Sequence, residues 1–519
     1  MTQSGVWKMK SGVILHDEVA TAVSESSRAR EGSDHWLAAA YGFAFLSCLT
    51  VWFLAIRAPL WTDETLSYWQ IAGGVKQIWA RSVQGNSFAA YAYILWFTKK
   101  IFGDKEIVLR IPSILAMLAA VYVFYRSARE LFTWDVSLFA TMTFAIPQGI
   151  AFAAIDVRPY AFALLMTNLG ILLFLRWMST QKAKYAALFG IATAGIFYFH
   201  YLFASMIAAL VVYYLLVRLC LLKRDLRQIG AALGCFAVFI LPVLPRLKYI
   251  YETRVTHSFA PTPHPAWILE KLYPGPGQLT VAVGVVLMAA VVRRLRLPTG
   301  EVLRKLLFCA SLALVPILCL YGISVYSTVH VFIPRYLLVA VPGIALSWGW
   351  LCSIIDSRAL RAFFCFAFVG LSAFQAYRSP LARWHEASWK EALAIADANA
   401  AVDHATLLMC SPLIEADFLP MPPAPAESVL YSPLSYYKVS APVVPLPRSL
   451  NDEAQRDVKK FLLHAAMEHR RFLVLAPRGP SLEILNFIGD FSRNTHANRV
   501  LGILDDIWVV EFVPYSDAP

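Results

Sequence analysis

Apolar runs of about 18 to 22 residues, each long enough for a helix that crosses a bilayer, recur from residue 36 to residue 378 and then stop. This repetition commits most of the chain to a lipid solvent, where backbone polar groups must pair within helices or closed barrels. Only 15% of the 519 residues are charged and 58% are hydrophobic, against the roughly 25% charged of a soluble domain. The net charge of +12 raises nucleic-acid binding as a function. The Lys and Arg residues, however, sit mostly in short clusters between apolar runs, as positive-inside loops do, and nucleic acid is excluded as a partner.

The runs fall at about 36–57, 107–125, 134–153, a fourth ending near Arg176, 185–199, a sixth ending at Arg218, 228–245, one before Arg293, 306–326, one opening at Pro334-Arg335-Tyr336, and one ending near Tyr377. The expected architecture is therefore a polytopic α-helical membrane protein of about eleven spans. Residues 1–35 are polar, carry Lys8, Lys10, Arg28 and Arg30, and lack a short apolar core followed by a cleavage site, so they read as a cytoplasmic tail. That orientation sends the loops 58–105 and 246–278 outside. After eleven spans, residues 380–519 lie outside too. There, Trp389 to Ala400 reads as a helix, and Thr406 to Met409, Phe472 to Ala476 and Ile507 to Val513 read as strands of a small α/β domain. Seven of eight cysteines lie in apolar runs and only Cys410 lies in the polar tail, so neither a disulfide nor a CxxC metal site is expected.

Outer loop 58–105 mixes aromatic with basic residues, and Thr65 to Arg81 and Phe88 to Phe102 have the character of interfacial amphipathic helices; the second is also compatible with a span. Its positive charges, an exception to the positive-inside pattern, are expected to face lipid phosphate. Directly after the first span stand Asp63 and Glu64, two carboxylates at a depth where charge is expensive. They read either as a general base with an orienting neighbour or as a cap for the helix that begins near Thr65. Asp156 and Arg158 arrive on the same side ahead of span four, as site residues or as an ion pair at the span's entrance. Arg335 with Tyr336 is either a phosphate contact or a snorkelling anchor. His200 ends span five as an interfacial residue or a ligand. Loop 246–278 carries Lys248, His257 and His264 without internal periodicity; a loop of that length is functional or disordered.

Four stretches, in this order and on one membrane side, resemble the GT-C glycosyltransferases that use polyprenyl-phosphate sugars, among them protein O-mannosyltransferases and the aminoarabinose and galacturonic acid transferases of lipid A. They are Thr62-Asp63-Glu64-Thr65; Gly103-Asp104-Lys105-Glu106-Ile107-Val108-Leu109-Arg110-Ile111-Pro112-Ser113; Asp156-Val157-Arg158-Pro159-Tyr160; and Pro334-Arg335-Tyr336-Leu337-Leu338. The resemblance covers roughly residues 36–350. It implies inverting transfer of a sugar to a lipid, glycan or protein of the bacterial envelope at the outer face of the cytoplasmic membrane. It also implies that Asp63 is the catalytic carboxylate and Asp156 a second acidic site. Glu64 then orients Asp63 or contacts acceptor or metal, and a divalent ion between Asp63 and Asp156 is chemically reasonable. Candidate donor contacts are Arg158, Tyr160, Arg335, Tyr336, His200 and Lys248. Where members of this type often carry a His-Pro or Lys-Pro pair, this chain has Asn86-Ser87. The competing functions are a polyprenyl-linked glycan ligase or polymerase and a lipid-sugar flippase; the flippase would favour charges deep within spans and inverted repeats, neither of which the sequence contains.

Overall fold

The computed structural model describes residues 35–218, 222–253, 260–272, 275–295, 300–378, 388–417, 419 and 421–515. The N-terminal tail through residue 34, Cys220 and His257 lie outside the described residues. The chain opens with α1 (His35–Ala55) and then runs through three short helices, α2 (Thr62–Ala72), α3 (Ile78–Gln84) and α4 (Ala89–Phe102). At 14 residues α4 is too short to cross a ~30 Å hydrocarbon core. The long α5 (Glu106–Arg129) has its acid in the first turn and Arg126 and Arg129 in the last, the arrangement that complements a helix dipole.

Helices α6 (Trp134–Ala145) and α7 (Gln148–Ile155) are together long and apolar enough for one broken span or a re-entrant loop, with a 70° bend between them. Pro147 lies in the break and cannot donate to the helical ladder. There follow α8 (Tyr160–Thr180), α9 (Ala183–Ile196), α10 (Ser205–Arg218), α11 (Leu222–Ile240), α12 (Leu244–Glu252), α13 (Ala266–Leu272), α14 (Pro276–Val291), α15 (Gly300–Tyr326), α16 (Val341–Ser353) and α17 (Arg358–Arg378). Among the described residues six helices are long and apolar enough to cross a membrane, or eight when each bent pair counts as one span, and three further apolar helices have 10–17 residues. The eleven expected runs each fall on one of these elements. Loop 246–278 is not structureless. Much of it is α12 and α13, and the expectation of an irregular loop failed because prolines at the start of α12 masked a short helix.

Close helix contacts depend on glycine. A Cβ on Gly343 of α16 would meet the Leu312 carbonyl carbon and the Ala313 nitrogen of α15 at 2.2 Å, and one on Gly190 of α9 would meet the Ala232 carbonyl oxygen of α11 at 2.1 Å. The tail is a five-stranded sheet in the order β2-β1-β3-β5-β4, formed by β1 (Thr406–Cys410), β2 (Val443–Leu446), β3 (Phe472–Pro477), β4 (His496–Leu504) and β5 (Ile507–Pro514). β1 pairs in parallel with β2 and β3, and β5 runs antiparallel to β3 and β4. Successive strand residues point to opposite faces. Leu407 and Met409 thus join α18 (Trp389–Ala400) in one core, while Leu408 and Cys410 join α20 (Asp452–Met467) and α21 (Ser481–Ser492) in the other. The small helix α19 (Pro433–Tyr436) faces the membrane domain.

Overpacking an interior by one methyl typically costs about 1–3 kcal/mol. Gly343→Ala should therefore lower the unfolding temperature of the detergent-solubilised protein, whereas Gly322→Ala on the same α15, where nothing lies within 4 Å, should leave it in place.

Candidate active site

α2 starts where Trp61, in extended backbone conformation, turns the chain out of the first span. Glu64, at its third helical position, reaches back so that the Trp61 N–H donates to Oε2 at 3.3 Å, one half of a capping box. Three more donors converge on the same carboxylate. Arg110 of α5 gives Nη2 to Oε2 at 2.9 Å and Nε to Oε1 at 3.4 Å, and the Val157 N–H gives 2.9 Å to Oε1. Arg110 spends its remaining donors on the carbonyls of Ile56, Ala58 and Pro59. Both side chains are 0% exposed. Glu64 is thus a buried knot joining span one, α5 and the loop before α8, and its oxygens do not reach a cavity where an acceptor could bind.

Asp63, one residue earlier, is different. Its side chain is 18% exposed and Arg335 Nη1 donates to Oδ2 at 2.8 Å. Arg158 reaches the Asp63 carbonyl at 3.4 Å, and its Nε is buried with no hydrogen-bond partner. Asp156 is fully buried; Oδ1 accepts from Trp61 Nε1 at 3.1 Å and Oδ2 has no partner. Burial first, and then the charge of Glu64, lifts the Asp156 carboxyl well above the ordinary range, with Arg158 opposing. Beside these groups lies a cavity of about 110 Å³, lined by Arg158, Tyr160, His200, Tyr336, Ser87 and His330 among others. The His200 ring packs against Tyr160 and Tyr336 at 5.2 and 5.0 Å, and its Nδ1 is buried without a partner.

Residues 89–248 match the family described as dolichyl-phosphate-mannose-protein mannosyltransferase. The fold is similar to ArnT from Cupriavidus metallidurans bound to undecaprenyl phosphate, at 13% identity and a TM-score of 0.54 over 93% of this chain and 100% of that one. The apo state of the same protein gives 13% identity and a TM-score of 0.55 over 95% and 100%. The chain therefore has a fold of the GT-C type. No curated protein matches it in sequence.

In this GT-C site Asp63, Asp156, Arg158, Tyr160, His200, Arg335 and Tyr336 come together. Lys248 does not join them. It is 79% exposed and lies near Glu252 at 3.9 Å, because the helical register of α12 turns positions 246 and 250 inward and 248 and 252 outward. The buried cation of that helix is Arg246, which sequence reasoning missed and which the i, i+4 pairing with Ile250 would have revealed. It is 5% exposed, gives Nη2 to Asn86 Oδ1 and Nε to the Ser87 carbonyl at 3.1 Å each, and has Nη1 without a partner. A guanidinium therefore stands at the Asn86-Ser87 position where His or Lys was expected. The His264 ring accepts from the Ala266 N–H at the start of α13.

Asp63 pairs with Arg335, and among the described residues no three His, Cys, Asp or Glu side chains are grouped as a metal site. Two of the outer-loop cations are committed within the protein. Arg81 donates to the Trp69 carbonyl at 2.7 Å and Lys99 to the Tyr68 hydroxyl at 2.8 Å.

Removing one partner of a buried ion pair leaves an uncompensated charge and costs about 3–5 kcal/mol. Arg110→Met should destabilise the protein by that order in thermal melts. Adding Glu64→Leu should recover part of the loss, and Lys248→Ala should change nothing.

Proposed function

We propose that the protein transfers a single sugar from a polyprenyl-phosphate donor to an acceptor of the bacterial envelope, with inversion, on the extracytoplasmic side of the cytoplasmic membrane. The observation that carries this reading is the sorting of the site's three carboxyls. Glu64 is consumed by four donors and Asp156 is fully buried, while Asp63 alone of the three is partly exposed and pairs with Arg335, and its carbonyl accepts from Arg158, which lines the cavity. Structures of similar fold carry undecaprenyl phosphate, and the matching family is described by a dolichyl-phosphate sugar donor. Membrane lipid surrounds the spans. The acceptor is a lipid, lipid A or lipopolysaccharide included, or a glycan or protein.

A sugar on a lipid phosphate already has a good leaving group, so no acid is needed on the donor side. The acceptor hydroxyl oxygen bonds to the anomeric carbon as the bond from that carbon to the phosphate oxygen breaks on the opposite face. Asp63 takes the hydroxyl proton, and the electron pair leaves with the polyprenyl phosphate. Arg158 and Arg335 receive the growing phosphate charge, a role suited to guanidinium forks in a site shielded from water. A phosphate at Arg335 competes with Asp63 for that guanidinium, so donor binding frees the carboxylate to accept the proton.

A positioned base contributes about 10²- to 10⁴-fold. Asp63→Asn should lower kcat by that order without shifting thermal unfolding. Mass spectrometry of envelope lipids, glycans and glycoproteins should show one discrete sugar mass lost from cells without the gene and from cells with Asp63→Asn at matched protein level. Persistence of the sugar with Asp63→Asn overturns the base assignment, and loss of an oligosaccharide mass points instead to a glycan ligase or polymerase.

His200 supplies a test by pH. Burial, then the charges of Arg158 and Arg335, holds its imidazole down at about 3, so the ring is neutral at every working pH. Since kcat/KM reports ionisations of the free enzyme, His200→Gln should leave the shape of its profile from about pH 5 to 8 unchanged. An acid limb near 6.5 that vanishes in the variant would contradict the neutral ring.

A further inference from the structure

α2 has two working faces. Asp63, Glu64 and Ser67 turn toward the membrane domain, and the other face is held by the C-terminal domain. Trp389 Nε1 donates to Thr62 Oγ1 at 3.0 Å, Thr65 Oγ1 and Ser432 Oγ are 3.2 Å apart, and Trp69 Nε1 donates to the Glu427 carbonyl at 2.8 Å. The Tyr68 ring meets Tyr436 edge-on at 4.7 Å. Just ahead of the helix, the buried Leu60 N–H donates to the Tyr437 hydroxyl at 2.6 Å, and that hydroxyl donates to Glu106 Oε1 at 3.0 Å. Tyr436 donates to the Asp104 carbonyl at 2.9 Å.

These bonds concentrate on the turn that carries Asp63. The Leu60 N–H is three residues before it, and its acceptor comes from 377 residues away. Thr62 is its immediate neighbour and takes its side-chain donor from α18, whose Trp389 is 0% exposed within the tail's own core. The Glu64 knot fixes one side of the turn, and two aromatic side chains of the tail fix the other. The Asp63 carboxylate itself is held by Arg335, which donor phosphate would engage.

We propose that the C-terminal domain is the positioning element of the transferase. Trp389 and Tyr437 set the rotation of the first turn of α2, so that the Asp63 carboxylate meets the acceptor hydroxyl once Arg335 has turned to the donor. This rests on the assignment of Asp63 as base. Trp389 and Tyr437 are positioning residues and touch no substrate. Misplacing a catalytic group by about 1 Å can cost on the order of 10²-fold.

The test uses the full-length protein in lipid nanodiscs with polyprenyl-phosphate sugar donors and envelope extract as acceptor. Tyr437→Phe and Trp389→Phe keep a ring and remove the hydroxyl or the N–H. Each should lower kcat roughly 10- to 100-fold, with KM for the donor and the unfolding temperature unchanged. Thr62→Val should reproduce Trp389→Phe, the double variant should be no worse than either single one, and Thr62→Ser should stay close to wild type. Wild-type kcat in Tyr437→Phe and Trp389→Phe, or a fall that tracks lost thermal stability across the series, overturns the proposal. If the wild type transfers no sugar from any polyprenyl-phosphate donor, the functional reading fails instead. The clamp is then judged by hydrogen exchange: faster exchange of the Leu60 to Thr65 amides in Tyr437→Phe supports it, and unchanged exchange refutes it.

Discussion

The arrangement of the site depends on one ion pair, Arg110 with Glu64, both fully buried. A charge taken out of water carries a penalty of several kcal/mol, and its partner offsets that only when the remaining lone pairs and protons are also satisfied. Here they are, by four donors on the carboxylate and three carbonyls on the guanidinium. The consequence is geometric. The last residues of span one, the start of α5 and the Asp156-Val157 turn share one hydrogen-bonded centre and cannot move independently. Every group assigned to chemistry hangs from one of those segments or faces them.

The same centre sorts the charges. Burial, and then the charge of Glu64, lifts the Asp156 carboxyl well above the ordinary range, and Asp63 is the partly exposed carboxylate of the three. Arg335 holds the Asp63 carboxylate and Arg158 its backbone carbonyl, from different segments. Neutral His200 adds polarity to the cavity without adding charge. Three acids and three arginines therefore divide into a fixed structural pair, a fully buried carboxyl and a partly exposed set.

Much of this was legible because a bilayer simplifies the code. Length and apolarity locate the spans, the acidic pair after span one stands out against them, and the near-continuous apolar runs of β1, β3 and β5 mark buried strands. The edge strands were not legible. β2 contains Pro445, which suits an edge but reads as loop, and much of β4 is exposed, so its apolar signal is broken. The exchange of Lys248 for Arg246 turns on helical register within a stretch whose prolines hid the helix. The family resemblance ranks Asp63 above Glu64 as base, but the residues alone do not show that Glu64 is buried, because adjacent positions on a helix differ by about 100° and only the partner Arg110 decides which one is buried. Nor could any pattern show that the tail binds α2, since those partners lie more than 320 residues apart.

That contact between tail and membrane domain also accounts for the aromatic excess of the outer loop. Trp and Tyr combine a large apolar body with one polar tip, and here each tip has a destination: Trp61 to Asp156, Trp69 to Glu427, Trp389 to Thr62, Tyr437 to Glu106. The rings fill the space between a lipid-solvated bundle and a water-solvated sheet while the tips fix direction, which aliphatic side chains could not do. Arg81 over the Trp69 ring and Lys99 over the Tyr68 ring belong to the same layer. Two of the basic residues that break the positive-inside pattern are thus each held by an aromatic face and one hydrogen bond to the helix that carries Asp63, while Lys76 and Lys100 stay exposed.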